Sequence, residues 1–273
     1  MWSRHFIVLC LFCSLVACGD GSKSKLGAGA VAPLVIGTDA TYPPFEFVDK
    51  QGQISGVSVE IGREIGKALG REVVFKNINF DGLILALKTS SIDLIISSMT
   101  ANDERRRSID FSEPYVKTGL SLLLSAKSDV QKAEDLRTPG RRIVVRLGTT
   151  GEMWARKELP QAQFVSVDTD AACVLEVVNG NVDAWVYDQI SVMNYHEKHK
   201  AQTRAILAPL REEVWAVGIR RGNMEMKTQV DQVIARMQTD GSFTRLAERF
   251  LATERALMKS QGLPFVFELQ SAP

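Results

Sequence analysis

The stretch I-D-L-I-I-S-S-M-T-A-N-D-E-R-R-R-S-I, from Ile92 to Ile109, constrains the fold more than any other part of the chain. Leu94-Ile95-Ile96 is an apolar run of the kind that fills a strand buried on both faces in a parallel sheet. It stops abruptly in hydroxyl residues, Ser97, Ser98 and Thr100. Asn102 or Asp103 then caps a new helix with Arg105 in its first turn. Open α/β sheets bind ligands beyond the carboxyl ends of their strands, at a topological switch point. A strand tip offering hydroxyls, helix-start N–H groups and a guanidinium suits a small anion, most simply a carboxylate. Taken alone, it is equally an ordinary strand–loop–helix joint with a solvated arginine.

The flanking segments repeat the pattern. Leu34 to Thr38 reads as a strand that ends at Asp39. Pro43 and Pro44 hold the next segment extended, so that Tyr42 and Phe45 project from a stiff loop. Val48 to Ile54 reads as a hairpin turn around Gly52. Val59 to Leu69 puts Ile61, Ile65, Ala68 and Leu69 on one helical face and stops at Gly70. Val73 to Phe75 is a strand, and a helix through Leu83, Ile84 and Leu87 follows with Asp81 as its cap. Further on, Ile143 to Val145 is a strand ending in Arg146-Leu147-Gly148. Thr149-Thr150-Gly151 then opens a helix whose first N–H groups suit an anion. Phe164 to Ser166 is a strand, and Asp168 or Thr169 caps a helix to Val178. Asp183 to Tyr187 is a strand ending at Asp188, which also stands where a helix from Gln189 takes its cap. Strands alternating with helices of about ten residues mean βαβ units. Val214 to Ile219 is a further apolar strand, and Met224 to Met237 and Phe243 to Leu251 are amphipathic helices.

Charge and motif content narrow the function. Lys and Arg number 33 against 32 Asp and Glu, and no basic stripe marks a nucleic-acid binder. The G-T-T-G-E run at 148–152 lacks the lysine of a phosphate loop. His196 and His199 have helical spacing, but only Glu197 accompanies them, so a solvated helix end is expected rather than a metal site. No cofactor is expected.

The N-terminus has a different character. Arg4 and His5 precede an apolar run from Phe6 to Ala17, shorter than the roughly 20 residues of a membrane-spanning helix, which reads as a signal sequence. Leu15-Val16-Ala17-Cys18-Gly19 resembles the lipobox of bacterial lipoproteins, which implies cleavage before Cys18 and lipid on its sulfur. Gly19 to Ala32 is a small-residue tether. Cys10 and Cys13 leave with the signal, so Cys173, on an apolar helical face, remains as a buried thiol.

Seven segments then combine: I-G-T-D-A-T-Y-P-P-F-E-F (36–47), N-F-D-G-L-I-L-A-L (79–87), I-D-L-I-I-S-S-M-T-A-N-D-E-R (92–105), I-D-F-S-E-P-Y (109–115), R-L-G-T-T-G-E (146–152), V-D-A-W-V-Y-D (182–188) and D-G-S-F-T-R-L (240–246). Together they resemble the polar amino-acid-binding proteins of bacterial ABC importers, the family 3 extracellular solute-binding proteins, over roughly residues 34–251. The resemblance implies an α/β two-lobed periplasmic binding protein fold of type II. Each lobe is a mostly parallel sheet flanked by helices, and two hinge crossings join them. The implied division is a signal peptide at 1–17, a lipidated tether at 18–33, a first lobe at 34–118 and 218–251, a second lobe at 119–217 and a tail at 252–273. Leu263 to Phe267 of the tail either packs on the surface or meets a partner. The implied state is an exported monomer, in the periplasm or at the cell surface, held to the membrane by lipid on Cys18. Its partners are a free polar amino acid and the membrane subunits of an ABC importer.

The family pattern also implies roles. Arg105 forks the ligand carboxylate, with Ser98, Thr100 and the N–H of Thr149 or Thr150 completing the anion site, and Ser97 belongs to the same substrate-binding set. Asp188 accepts from the ligand ammonium, and Tyr42 and Phe80 flank the ligand side chain. Asp39 accepts from that side chain, and Arg146 donates to it unless it turns away to pair with Asp39. Glutamine satisfies both residues and ranks ahead of arginine, which satisfies Asp39 alone. Two other classes share the fold. A cyclohexadienyl-dehydratase-like enzyme would take its acid from Asp39, Glu46 or Asp188, but no nucleophile elbow, metal cluster or cofactor loop supports it. A receptor's sensing domain would call for a second membrane segment or a signalling domain.

Overall fold

The computed structural model describes residues 31–269; the signal, Cys18 and nearly all of the tether lie outside them, as do positions 270–273. The first strand, β1 (Leu34–Thr38), is buried along almost its whole length. A small antiparallel meander follows, β2 (Thr41–Tyr42), β3 (Glu46–Val48) and β4 (Ile54–Ser55). Helix α1 (Val57–Leu69) buries Val57, Ile61 and Ile65 at helical spacing and ends on Gly70 in the left-handed region, the αL end that glycine permits. Strand β5 (Val73–Asn77) lies parallel to β1. A 3₁₀ turn at Phe80–Gly82 leads into α2 (Leu83–Lys88), and Asp81 makes no capping bond there, because the turn displaces the helix start to Gly82. Strand β6 (Leu94–Ile95) is followed by α3 (Asp103–Arg106), whose cap is Asn102: its Oδ1 accepts the Arg105 N–H at 2.8 Å. Strand β7 (Asp110–Phe111) ends this part.

The chain crosses on β8 (Val116–Ser125) and builds β9 (Arg142–Arg146), α4 (Thr150–Glu158) and β10 (Gln163–Val167). Helix α5 (Asp170–Asn179) is capped by the Thr169 hydroxyl, and β11 (Ala184–Asp188) and α6 (Gln189–Lys198) follow. It returns on β12 (Thr203–Trp215) and β13 (Gly218–Ile219), then α7 (Met224–Thr239), α8 (Ser242–Phe250) and α9 (Ala252–Ser260). One sheet has the order β5-β1-β6-β13-β7 and the other β10-β9-β11-β8-β12. In each, the first three strands are parallel and the fourth runs antiparallel to both of its neighbours. The architecture is the two-lobed α/β fold of type II binding proteins.

Two sequence expectations change here, and one left open is decided. Val214 to Ile219 is not one strand. Trp215 pairs with Val116 in the second sheet, whereas Gly218 pairs with Ile95 and Phe111 in the first, so the break between them is the return crossing. Tyr42 and Phe45 do not project, because large rings are best buried against one another. Both are buried, and their centroids lie 5.8 and 4.9 Å from that of Trp215, edge to face. The tail carries a helix, α9, and then packs back: the Val266 carbonyl accepts the Lys117 N–H at 2.9 Å, and Phe267 stacks obliquely on Phe243.

Cys173 is fully buried. His196 is 3.0 Å from the Thr203 hydroxyl, and among the described residues no His, Cys, Asp and Glu group could hold a metal ion. No helix of the described residues is long and apolar enough to cross a membrane.

Candidate functional site

The strand tips converge. Asp39 follows β1, Ser97, Ser98 and Thr100 follow β6, Arg146 ends β9 and Asp188 ends β11. With Tyr42, Phe80, Arg105, Thr149 and Thr150 they line one cavity, so every site residue singled out from the sequence meets at one place. Glu46 and Tyr187 line it as well. The lobes are closed on it and the enclosed space is about 20 Å³, little more than one water requires. Anything much larger than a water enters only if the lobes part.

At one end stands Arg105, buried on the first turn of α3 because Asn102 fixes that turn. Its Nη1 donates to the Thr100 carbonyl at 2.8 Å and its Nη2 to the Gly148 carbonyl, across the cleft, at 3.0 Å. Nε and the second hydrogens of both terminal nitrogens remain for a ligand. Burial pulls its pKa down to about 10, against the opposing pull of Glu213 and Asp188, which leaves it charged at neutral pH. Thr149 is spent as a cap: its hydroxyl donates to the Arg146 carbonyl at 2.7 Å and accepts the Glu152 N–H. Thr150 is the first residue of α4, and its N–H is among the orphan donors of a helix start. Gly151 must be glycine, since a Cβ there would stand 2.1 Å from the Val186 carbonyl oxygen.

Asp188 occupies the cap position of α6 but makes no side-chain capping bond. Its Oδ1 and the Tyr42 hydroxyl are buried without a partner. Burial, reinforced by the Glu213 charge, pushes the Asp188 pKa well above the usual carboxylate range. A buried carboxyl left unsatisfied in this way is a receptor for a cation or donor, and a cation beside it favours the ionised form.

The third group surrounds Arg146, and of its two possible dispositions the structure has the one facing Asp39. Nη2 donates to Asp39 Oδ2 at 2.5 Å and to the Thr41 hydroxyl at 3.1 Å. Nη1 donates to Asp170 at 2.6 Å and to the Tyr187 hydroxyl at 2.9 Å, and Nε to the Asp168 carbonyl at 3.2 Å. No N–H of Arg146 is left over. Asp39 in turn accepts from Thr41 and from the Phe80 N–H. The half-buried Phe80 ring has the Arg105 guanidinium at 5.2 Å and that of Arg146 at 6.0 Å.

Glu46 closes the floor. Ser58 and Ser98 donate to its Oε2 at 2.6 and 3.1 Å, and Ser98 adopts a positive φ of 47° to do so. Burial raises its pKa to about 8, more than the two hydroxyls lower it, so the group is largely neutral at pH 7. Ser97 supports from behind, its hydroxyl accepting the Asp39 N–H at 2.9 Å. Asp170, Tyr187 and Glu213 were not legible as site residues. Asp170 sat one residue past a helix cap, Tyr187 inside an apolar strand and Glu213 in a charged run, none of which signals a buried polar contact.

The sequence model of the bacterial extracellular solute-binding proteins, family 3, matches residues 34–253. The chain is 29% identical over 223 residues to the L-cystine-binding protein TcyJ of Escherichia coli (strain K12), covering 81% of this chain and 83% of that one. It is 27% identical to ABC transporter arginine-binding protein 1 of the same strain, over 82% of this chain and 93% of that one. A solved structure of an ancestral arginine-binding protein bound to glutamine superposes with a TM-score of 0.73 at 30% identity, covering 80% of this chain and 97% of that one. The relatives so named are binding proteins rather than enzymes. With a match across both lobes, the chain belongs to the family 3 bacterial extracellular solute-binding proteins.

Proposed function

We propose that this chain captures a free polar L-amino acid between its lobes outside the cytoplasm and delivers it to the membrane subunits of an ABC importer. The observation that carries the reading is the pair of opposite, unsatisfied groups in one buried cavity. Arg105 keeps N–H donors for a carboxylate, and Asp188 keeps a bare oxygen for an ammonium. An α-amino acid carries both charges on one carbon, and burying them together is tolerable only when each is paired. Because these groups come from different lobes, ligand binding favours the closed shape, which a transporter can distinguish from the open one. The signal sequence and the lipobox-like Leu15-Val16-Ala17-Cys18 support export and a lipid anchor at Cys18.

For the side chain, glutamine ranks ahead of arginine. Arg146 already fills the space beside Asp39, so a second guanidinium meets a like charge there and a neutral amide does not. Arginine remains the second reading on a specific observation: Asp39 and Asp170 set two carboxylates against the one guanidinium of Arg146. The test is a thermal-shift screen of the twenty amino acids, followed by calorimetric competition between glutamine and arginine. Ligand at a hundredfold Kd stabilises by about 2.7 kcal/mol. No stabilisation by any amino acid refutes the reading, and a large preference for arginine reverses the ranking.

A further inference from the structure

The tail beyond residue 253, where the match to the family ends, is rooted on the first lobe and reaches the second. Helix α9 continues from α8, and Phe267 packs obliquely on Phe243 of α8 with ring centroids 4.8 Å apart. From there the tail makes two polar contacts with elements of the second sheet's lobe. Glu254 Oε1, on the first turn of α9, accepts from Asn194 Nδ2 of α6 at 3.1 Å. The Val266 carbonyl accepts the Lys117 N–H of β8 at 2.9 Å. Lys117 stands on the outward crossing, where residues 116–119 pair with β12 alone, because the pairing of β8 with β11 begins only at Leu120. The tail thus takes the open edge of the hinge strand, whose N–H would otherwise lack a partner within the sheet. Met258, Phe265 and Val266 are buried in one apolar cluster with Met193 of α6 and Phe243 of α8.

A contact between lobes that parts when they rotate favours the closed shape by its own free energy, wherever on the molecule it lies. We propose that residues 254–267 form a strap, a third and non-covalent link between the lobes beside the two crossing strands, which holds the ligand-free protein toward closure. None of these residues lines the cavity, so the strap acts on the ligand only through the equilibrium between open and closed shapes. A protein whose binding-competent shape is fractionally populated binds with its intrinsic affinity reduced by that fraction. By raising the fraction, the strap raises affinity without touching what is bound. The step from strap to affinity rests on the amino-acid reading above; the step from strap to closure does not.

The test reads closure and affinity separately in wild type, Glu254→Ala, Asn194→Ala and Glu254→Gln. Small-angle X-ray scattering of the ligand-free protein reports how far the lobes are parted, and calorimetric titration with L-glutamine and L-arginine reports affinity. Both alanine variants have a larger radius of gyration than wild type. They bind whichever of the two amino acids wild type binds about three- to tenfold more weakly, as a hydrogen bond to a charged group is lost from the closed shape. Glu254→Gln keeps an acceptor for Asn194 and stays within about twofold of wild type. The double alanine variant loses no more than either single one, as a shared contact requires. A merely structural contact lowers the melting temperature while scattering and affinity remain those of wild type, and that result overturns the inference, as does tighter binding by the alanine variants. If Glu254→Ala does not fold, Asn194→Ala, at a half-buried position, carries the same test. Wild type that binds neither amino acid overturns the amino-acid reading, and the scattering of the ligand-free variants still decides the strap.

Discussion

Arg146 of the second lobe donates to Asp39 of the first across the closed cleft, at 2.5 Å, and spends every remaining N–H on Thr41, Asp170, Tyr187 and the Asp168 carbonyl. The pair is both a cross-lobe contact and the wall of the side-chain subsite. Charges this well buried are stable only while paired, so removal of one partner costs far more than the pair contributes net.

Arg146→Leu leaves Asp39, on the cavity wall, and the buried Asp170 without a counter-ion. Burial already raises the Asp170 pKa to about 6, with Arg146 holding it down. The preference of the variant shifts from glutamine toward arginine by about 1–3 kcal/mol, as a like charge disappears and two acceptors are left unpaired. Competition calorimetry on wild type and variant measures the shift. An unchanged preference removes Arg146 from the side-chain subsite.

Arg105→Lys weakens amino-acid binding by about 2 kcal/mol or more. The planar fork that now bridges the Thr100 and Gly148 carbonyls, with donors to spare, has no counterpart in an ammonium. Titration calorimetry decides it, and equal affinities would show that Arg105 does not touch the ligand.

Glu46 gives a pH dependence with a definite sign. Its carboxyl titrates near 8 when folded, against 4.5 for the free group. Between these values the folded chain holds a proton that the unfolded chain has lost, so this group makes stability fall as pH rises from about 4.5 to 8. Glu46→Gln, neutral at every pH, removes that decline, which amounts to a few kcal/mol at about 1.4 kcal/mol per pH unit. Denaturant melts at pH 5 and pH 8 measure the difference; a variant that loses stability across the window as wild type does would place the dependence elsewhere.

On the proposed lipid attachment, Cys18→Ser releases the protein from membranes and leaves amino-acid affinity intact, because Cys18 lies 16 positions before the first strand at Leu34. One lipid chain binds membranes only marginally, and durable attachment takes more, so an unacylated sulfur position abolishes it. Fractionation of cells expressing the variant gives the answer, and retention in the membrane fraction speaks against lipid on Cys18.

What the sequence determined by itself was the alternation of elements and the identity of the strand tips. Short apolar runs that stop in turn residues, such as Leu94-Ile95-Ile96, fit buried strands, glycine at 70 ends a helix cheaply, and hydroxyls, Asp39, Arg146 and Asp188 at strand ends fall where an α/β sheet binds ligands. These are local or periodic properties, and the residues they nominate do share one cavity. Tertiary structure alone decided which hydrogen bonds those residues make. Whether Arg146 meets a ligand or Asp39 depends on a group that is 107 positions away along the chain. The same holds for the break of the returning strand at Trp215, which is set by two different sheets competing for adjacent residues. Polar side chains have several possible partners each, and only the closure of one lobe on the other selects among them, because in a buried cleft a polar group left without a partner costs free energy.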